Sequence, residues 1–144
     1  MTEKNDKSLN FNVVSAIILD PKNRILLQKK DSAYYLGPNK WSLFGGGIEK
    51  DETAEEAIRR EIGEELNILV RDLSFFENSI YEGVLGDKKV RIPHKTFIIK
   101  FDGNLKEIKL GEGAGFALFE KKELENLDMM PPTMEALKRF TGRF

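Results

Sequence analysis

The chain has 144 residues, of which 40% are hydrophobic and 33% charged, and its formal net charge is −1. This length suits one domain, and the 10 phenylalanines supply apolar side chains for a core, which argues against a disordered chain. The near-neutral charge provides no field that would attract nucleic acid or an anionic membrane. The sequence has no cysteine and a single histidine, which excludes disulfides, thiolate metal sites, cysteine nucleophiles and histidine-rich metal sites.

The N-terminal residues 1–10 are polar, and we expect them to form a flexible segment ahead of a single domain over residues 11–144. They lack the apolar core of a signal peptide. The longest apolar stretch, residues 13–19, is far too short to cross a bilayer. We therefore expect a cytoplasmic protein, monomeric or homodimeric, with no membrane or nucleic-acid partner.

Five apolar segments predict strands, and several of them are bounded by turn-forming residues. They span residues 11–19, 24–28, 73–81, 90–101 and 113–119. The first two are separated by the turn-forming residues 20–23, so we predict that they pair as a hairpin. A loop over residues 31–40 and a short apolar segment at 41–44 lead into three consecutive glycines at positions 45 to 47.

Three segments predict helices, and the central one has the clearest ends. They span residues 54–66, 121–127 and, after two prolines, 133–140. Thr53 and Glu56 stand at the spacing of a capping box at the start of the central helix, and Asn67 suits the left-handed position that ends many helices. No regular alternation of strands and helices is present. We therefore predict an α+β fold, in which a mixed central sheet carries helices on its faces.

The central helix carries carboxylates where core side chains are expected. On a helical wheel, Glu61 and Glu65 fall about 20° on either side of Ala54, inside the apolar stripe. Glu64 lies at the edge of that stripe. Buried carboxylates cost several kcal/mol unless their charge is compensated, and the single Arg60 cannot neutralise three of them. Their i, i+3 and i+4 spacing lets the oxygens converge on a divalent cation, and oxygen ligands alone suit Mg²⁺ or Mn²⁺ rather than zinc.

This segment resembles the Nudix box, the signature of the Nudix hydrolase family, and its surroundings look like the MutT-type branch. The pattern G-x5-E-x7-R-E-U-x-E-E-x-G-U is matched at Gly46, Glu52, Arg60, Glu61, Glu64 and Glu65. At the last glycine of the pattern the chain has Asn67, which tolerates the same left-handed backbone at modest cost. Phe44 stands where many members have a proline, which we expect to change the rigidity of the loop rather than the metal ligands.

The resemblance implies a Nudix-like α/β/α sandwich, with the box helix and a C-terminal helix on a mixed sheet. It also implies hydrolysis of the diphosphate linkage of a nucleoside diphosphate joined to a group X, with Mg²⁺ as cofactor and Mn²⁺ as a substitute. By similarity the metal ligands are the Gly46 carbonyl, Glu61, Glu64 and Glu65, and the catalytic residues are Glu61, Glu64, Glu112 and Arg60. Arg60 would orient the glutamates, and the general base would be one of the box carboxylates or Glu112.

Residues outside the box complete the candidate site. Glu112 lies between two glycines, where MutT-type members place an extra glutamate, and a solvated loop residue is the alternative. The candidates for substrate binding are Lys29, Arg91, His94, Thr133 and Met134. Lys29 matches a basic residue that contacts phosphate in the family, with a surface lysine as the alternative. Arg91 and His94 precede a core strand, where surface or structural roles are the alternative.

The sequence leaves the substrate open. MutT-type members that recognise oxidised guanine use an asparagine in the loop entering the last helix, where this chain has Thr133 and Met134. Nucleoside triphosphates, oxidised or not, nucleotide sugars and dinucleoside polyphosphates all remain candidates. A non-catalytic nucleotide-binding regulatory module is the alternative function, which the retained box glutamates disfavour. An isoprenoid-diphosphate isomerase shares the fold, but its common form uses a cysteine that this chain lacks.

Overall fold

The computed structural model describes residues 12–110 and 113–142. Within these residues seven strands and two α-helices follow one another, with two short 3-10 segments at Leu105–Glu107 and Lys121–Asn126. The strands are β1 (Val13–Leu19), β2 (Ile25–Lys29), β3 (Trp41–Ser42), β4 (Phe44–Gly47), β5 (Asp72–Leu85), β6 (Lys88–Lys100) and β7 (Gly115–Phe119). The helices are α1 (Ala54–Leu66) and α2 (Pro131–Thr141).

All seven strands form one sheet, in which β3, β2, β1, β6 and β5 are neighbours in that order, while β4 pairs with β1 and β7 with β2. β1 runs antiparallel to β2 and β4 but parallel to β6, so the sheet is mixed as predicted. The predicted hairpin of β1 and β2 is confirmed, with Ile18 opposite Leu26.

The two helices cover opposite faces of this sheet. Side chains of β1 alternate between the faces because successive residues of a strand point in opposite directions. Val14 and Ile18 belong to the apolar cluster that α1 completes, whereas Ile17 belongs to the cluster that α2 completes. The predicted α/β/α arrangement is thereby confirmed.

Both ends of α1 are closed by the residues that the sequence indicates. The Glu56 N–H donates to the Thr53 hydroxyl at 3.1 Å, and the Thr53 N–H donates to the Glu56 carboxylate at 2.8 Å. At the other end Asn67 has a φ of 55°, and its N–H donates to the Gly63 carbonyl. The helix therefore holds its carboxylates at fixed positions over the sheet.

The strands predicted over residues 73–81 and 90–101 prove to be one long hairpin, with Gly86 and Asp87 as its two-residue turn. Gly86 has a φ of 63°, a conformation that glycine adopts without steric cost. The extension beyond residue 81 holds because Tyr81 and Leu85 are buried on one side of β5, which gives the end of the hairpin its own apolar contacts.

Three further segments differ from the prediction. The three glycines after Phe44 are themselves part of a strand, β4, which pairs with the first half of β1. The C-terminal helix begins earlier than predicted, at Pro131, because prolines fit the first helical turn, where no N–H is needed. The short helix predicted over residues 121–127 is a 3-10 segment. Neither of the described α-helices is long and apolar enough to span a bilayer.

Candidate active site

Arg60 joins the carboxylates of α1 to β4. It donates two hydrogen bonds to the Glu52 carboxylate, at 2.7 and 3.0 Å, and one to the Gly47 carbonyl at 3.0 Å. Its remaining donor group serves Glu61 at 2.9 Å and Glu64 at 3.3 Å. A guanidinium is planar and donates hydrogen bonds in fixed directions. Arg60 therefore sets the orientation of the carboxylates around it.

The pKa values of this group follow from the same contacts. The hydrogen bonds from Arg60 hold the pKa of the Glu52 carboxyl below its usual value. In return, the hydrogen bonds to Glu52 and then those to Glu61 raise the pKa of the guanidinium. The ion pair between Arg60 and Glu52 is therefore fully charged at neutral pH.

Glu61 and Glu65 reach the glycine strand from α1. The Glu61 carboxylate lies against Gly46 so closely that a Cβ at that position would overlap it. The Glu65 carboxylate accepts a hydrogen bond from the Gly45 N–H at 3.0 Å. Glu64 is largely exposed, with 62% of its side-chain surface open to solvent, whereas Glu61 is only 16% exposed. The helix thus presents one exposed and two partly buried carboxylates at the edge of the sheet.

The charge and the donor atoms at this place suit a divalent cation. Glu49, Glu52, Glu61 and Glu64 all lie within 4 Å of Arg60, so four carboxylates face a single guanidinium. The atoms of these carboxylates that could bind a metal are all oxygens, which is the ligand type that Mg²⁺ and Mn²⁺ prefer. Within residues 12–110 and 113–142 no three acidic or histidine side chains already stand at metal-ligating positions, because Glu61 and Glu65 are turned to protein donors.

A cleft of about 260 Å³ opens on the α2 face of the sheet, on the other side of the glycine strand. Its apolar wall is formed by Tyr34, Leu36, Tyr81, Leu85, Ile92 and Met130. Gly45 to Gly47 line it as well, so at this place β4 separates the cleft from the α1 carboxylates by three residues that have no side chain. A bound molecule could place one end in the cleft and the other at the carboxylates.

The structure brings only some of the predicted substrate contacts to this cleft. His94 and Thr133 line it. Arg91 is exposed and faces Glu82 at 3.4 Å, and Lys29 does not line the cleft. Met134 of α2 is partly buried and packs against the apolar cluster on that face of the sheet. Glu112 lies outside the described residues.

Thr133 lines the cleft and also makes a hydrogen bond within the protein. Its hydroxyl accepts a hydrogen bond from the buried Leu43 N–H at 3.1 Å, which ties the start of α2 to the segment between β3 and β4. This contact gives Thr133 a role in positioning the cleft wall, whether or not it also touches a bound molecule.

Several cleft residues were not found from the sequence. Lys30 lines the cleft and lies over the Tyr34 ring at 4.7 Å, one position along from the lysine that was predicted. Ser79 and Tyr81 enter the cleft through the pairing of β5 with β6, which the sequence does not indicate. The available signal was Tyr34, an aromatic residue in a polar loop that lines the cleft, whereas the adjacent Tyr35 is exposed and lies outside it.

Comparison with protein families matches residues 9–140 to the NUDIX domain. This chain belongs to the Nudix family. The nucleoside triphosphatase NudI of Escherichia coli O139:H28 is 31% identical over 108 residues, which cover 70% of this chain and 76% of that protein. A prenyl-diphosphate phosphatase of Methanosarcina mazei is 44% identical over 54 residues, which cover 38% of this chain but only 32% of that protein. The predicted class, a hydrolase of phosphorus-containing anhydrides, agrees with both names.

Solved structures agree on the fold. The MutT protein of Methanosarcina mazei Go1 superposes with a TM-score of 0.74 at 20% identity, over 91% of this chain and 92% of that one. The dihydroneopterin triphosphate pyrophosphohydrolase of Escherichia coli gives a TM-score of 0.72 at 18% identity, over 89% of this chain and 92% of that one. The predicted MutT-type Nudix fold is confirmed.

Proposed function

We propose that this chain is a divalent-metal-dependent pyrophosphohydrolase that cleaves the diphosphate linkage of a nucleoside diphosphate joined to a group X. The observation that supports it best is the position of the α1 carboxylates, which meet the glycine strand beside the cleft. Family membership and the names of the relatives support the same class of reaction.

Mg²⁺ is the metal that we propose, with Mn²⁺ as a substitute, and Gly46, Glu61, Glu64 and Glu65 are the residues that would hold it. A bound divalent cation would neutralise the diphosphate and lower the pKa of a water molecule. The glycine at position 46 suits this arrangement because it lets the Glu61 carboxylate approach the backbone of β4.

Arg60 acts as a positioning residue in this proposal. Its donors are engaged by Glu52, Glu61, Glu64 and the Gly47 carbonyl, so it orients carboxylates rather than phosphate. The proton of the attacking water passes to a carboxylate, for which Glu61, Glu64 and Glu112 are the candidates. Lys30 lies in the cleft and offers a cation to the phosphates.

A second candidate substrate is a prenyl diphosphate. The mainly apolar wall of the cleft would accommodate a hydrocarbon chain as well as a flat ring. The name of the Methanosarcina mazei relative favours the same candidate. The alternative function is a non-catalytic nucleotide-binding module, which would bind nucleotides without releasing phosphate.

The test is phosphate and pyrophosphate release from a panel of diphosphate compounds, with and without Mg²⁺. The panel contains the common nucleoside triphosphates, 8-oxo-dGTP, UDP-glucose, diadenosine tetraphosphate and geranyl diphosphate. Turnover that requires Mg²⁺ supports the proposal. Binding without any release in the panel supports the regulatory module and contradicts the proposed reaction.

Glu65→Gln should lower Mg²⁺-stimulated turnover about 100-fold or more, which is the size of effect expected when a charged contact to the reacting group is removed. Mg²⁺ alone should raise the melting temperature of the wild type and raise that of the variant less. Glu55→Gln is the matched control, because Glu55 lies on the same helix but is exposed and pairs with Arg59. Equal turnover and equal Mg²⁺ stabilisation in Glu65→Gln and the wild type would refute the metal assignment.

A further inference from the structure

Most polar groups of the cleft are already used by the protein. The Thr133 hydroxyl accepts from the Leu43 N–H, and the Ser42 hydroxyl donates to the Leu43 carbonyl at 2.9 Å. Ser15 and Thr96 face each other with their hydroxyl oxygens 3.4 Å apart. Groups that are paired in this way have little capacity left for a ligand.

Two neighbouring uncharged groups of the cleft have no such partner. The His94 Nδ1 lies 3.2 Å from the Ile92 carbonyl oxygen, which can only accept, so Nδ1 carries the hydrogen. In the neutral ring Nε2 is then an acceptor, and no hydrogen bond within the described residues engages it. Ser79 is the cross-strand partner of His94, and its hydroxyl likewise has no hydrogen bond within residues 12–110 and 113–142.

Both groups are open to a ligand. Among the described residues no side-chain nitrogen or oxygen is at once buried and without a partner, so Nε2 of His94 and the Ser79 hydroxyl are accessible. Both residues line the cleft, and both also line a shallower hollow that adjoins it. They lie side by side on β5 and β6, opposite α2.

Burial keeps the imidazole neutral. It lowers the pKa of His94 below its ordinary value, and the nearby Arg139 lowers it further, whereas the Ile92 carbonyl and Glu77 act in the opposite direction. The ring therefore offers an acceptor at Nε2 rather than a second N–H at neutral pH.

We propose that Nε2 of His94 and the hydroxyl of Ser79 are a specificity-determining pair that binds a heteroaromatic ring carrying an N–H donor, such as a nucleobase. This inference rests on the proposed function and chooses within it between a nucleoside and a prenyl group. A ring with N–H and acceptor edges pairs with both groups, while its faces contact Tyr34 and Tyr81. A hydrocarbon chain would displace water from both groups and leave them unpaired, which is costly.

Kinetics on variants tests the pair. His94→Leu should raise KM for nucleotide substrates about 5- to 50-fold, because a substrate donor loses its acceptor, with kcat within about threefold. His94→Gln should restore KM to within about threefold of the wild type, because its amide oxygen can replace Nε2. Ser79→Ala should raise KM for the same nucleotides by about two- to tenfold.

Two controls separate recognition from folding. Ser74→Ala alters an exposed serine on the same strand, outside the cleft, and should leave KM unchanged. KM for geranyl diphosphate, if it is turned over, should stay the same or fall in His94→Leu. An unchanged nucleotide KM in a folded His94→Leu, or an equal rise for geranyl diphosphate, would overturn the inference.

The single histidine gives a readout that does not depend on turnover. Imidazole ¹⁵N spectra should show one ring, protonated at Nδ1 and bare at Nε2. The Nε2 signal should shift when AMP, GMP, CMP or UMP binds, and geranyl phosphate should not shift it in the same way. If the wild type hydrolyses nothing in the panel, the proposed function fails, and these spectra still decide the inference: absence of any nucleotide-dependent shift overturns it.

Discussion

The absence of a side chain at Gly46 decides how closely the Glu61 carboxylate approaches β4. A Cβ at this position would overlap that carboxylate, whereas one at Gly63, on α1 itself, would meet nothing within 4 Å. The two glycines of this region therefore differ in how a side chain would fit at their positions. The first makes room for a functional group, and the second lies in a helix interior that glycine weakens.

Gly46→Ala should therefore lower turnover at least tenfold, because Glu61 must move away from its place beside the strand, with loss of the Mg²⁺-dependent rise in melting temperature. Gly63→Ala is the control, and it should raise the free energy of unfolding by about 0.5–1 kcal/mol with turnover unchanged. Urea unfolding and phosphate release measured on both variants check the pair. Full activity in Gly46→Ala would show that Glu61 does not need this position.

For single residues, the sequence indicates a functional role where a charged side chain falls at a position that is expected to be buried. Glu61 and Glu65 could be found because carboxylates inside an apolar stripe need an explanation. Ser79 could not be found, because a serine in a strand is unremarkable until the pairing with His94 is known. Lys30 was missed for a related reason. Lys29 ends β2 and Lys30 follows it, and only the course of the following loop decides which of the two lysines reaches the cleft.

Among the elements, α1 was predicted with both of its ends because its signals are local. Thr53, Glu56 and Asn67 act on the helix turn in which they lie. β4 was not predicted, because three successive glycines have low strand propensity and pair with β1 only through the tertiary fold. The full length of β5 and β6 was missed for the same reason, since their ends are stabilised by contacts between the two strands and with distant residues.

α2 depends on one buried hydrogen bond at its start. The Leu43 N–H is buried and donates to the Thr133 hydroxyl, so replacing Thr133 by valine leaves that N–H without an acceptor. Thr133→Val should lower the free energy of unfolding by about 1–3 kcal/mol. Thr133→Ser keeps the hydroxyl, so its free energy of unfolding should fall by clearly less.

Denaturant unfolding of the two Thr133 variants, together with KM for the preferred substrate, separates the structural role from substrate binding. A stability loss in the valine variant that is largely absent from the serine variant supports the link between α2 and the segment that joins β3 to β4. A valine variant that is as stable as the wild type but has a raised KM would instead assign Thr133 to the substrate.

For the whole molecule, a net charge of −1 conceals strong local charge. Four carboxylates surround Arg60 at one edge of the sheet, while the cleft on the opposite face holds a neutral imidazole. Composition alone excluded partners that need a strong overall field, but it could not reveal this separation. The separation suits a substrate with a charged end and a flat or apolar end.

The pH dependence of stability should report these groups in two separate steps. Burial lowers the pKa of His94 below 6.5, so the unfolded chain binds more protons between 6.5 and the folded-state pKa. Stability is therefore fully present above pH 6.5 and falls on acidification below it, by at most about 1.4 kcal/mol per pH unit for one group. A second decline should follow below about pH 4.5, as Glu52 and Asp20 take up protons.

The second step has the same sign as the first. Arg60 lowers the pKa of Glu52, and at Asp20 the hydrogen bonds from Arg24 and Lys22 outweigh the burial that would raise its pKa. Both carboxylates thus stabilise the fold above their unfolded-state pKa values, and the stabilisation is lost as the pH falls through the folded-state values.

Urea unfolding of the wild type and His94→Gln, from pH 8 to pH 3, tests this account. Glutamine does not titrate, so the variant should lose the decline that begins at pH 6.5 and keep the one below pH 4.5. An ¹⁵N titration of the single imidazole should independently place its pKa below 6.5. A wild-type stability that is flat or rising between pH 6.5 and 5.5, or an identical decline in the variant, would mean that the imidazole is not buried in its neutral form, and the acceptor at Nε2 would lose its support.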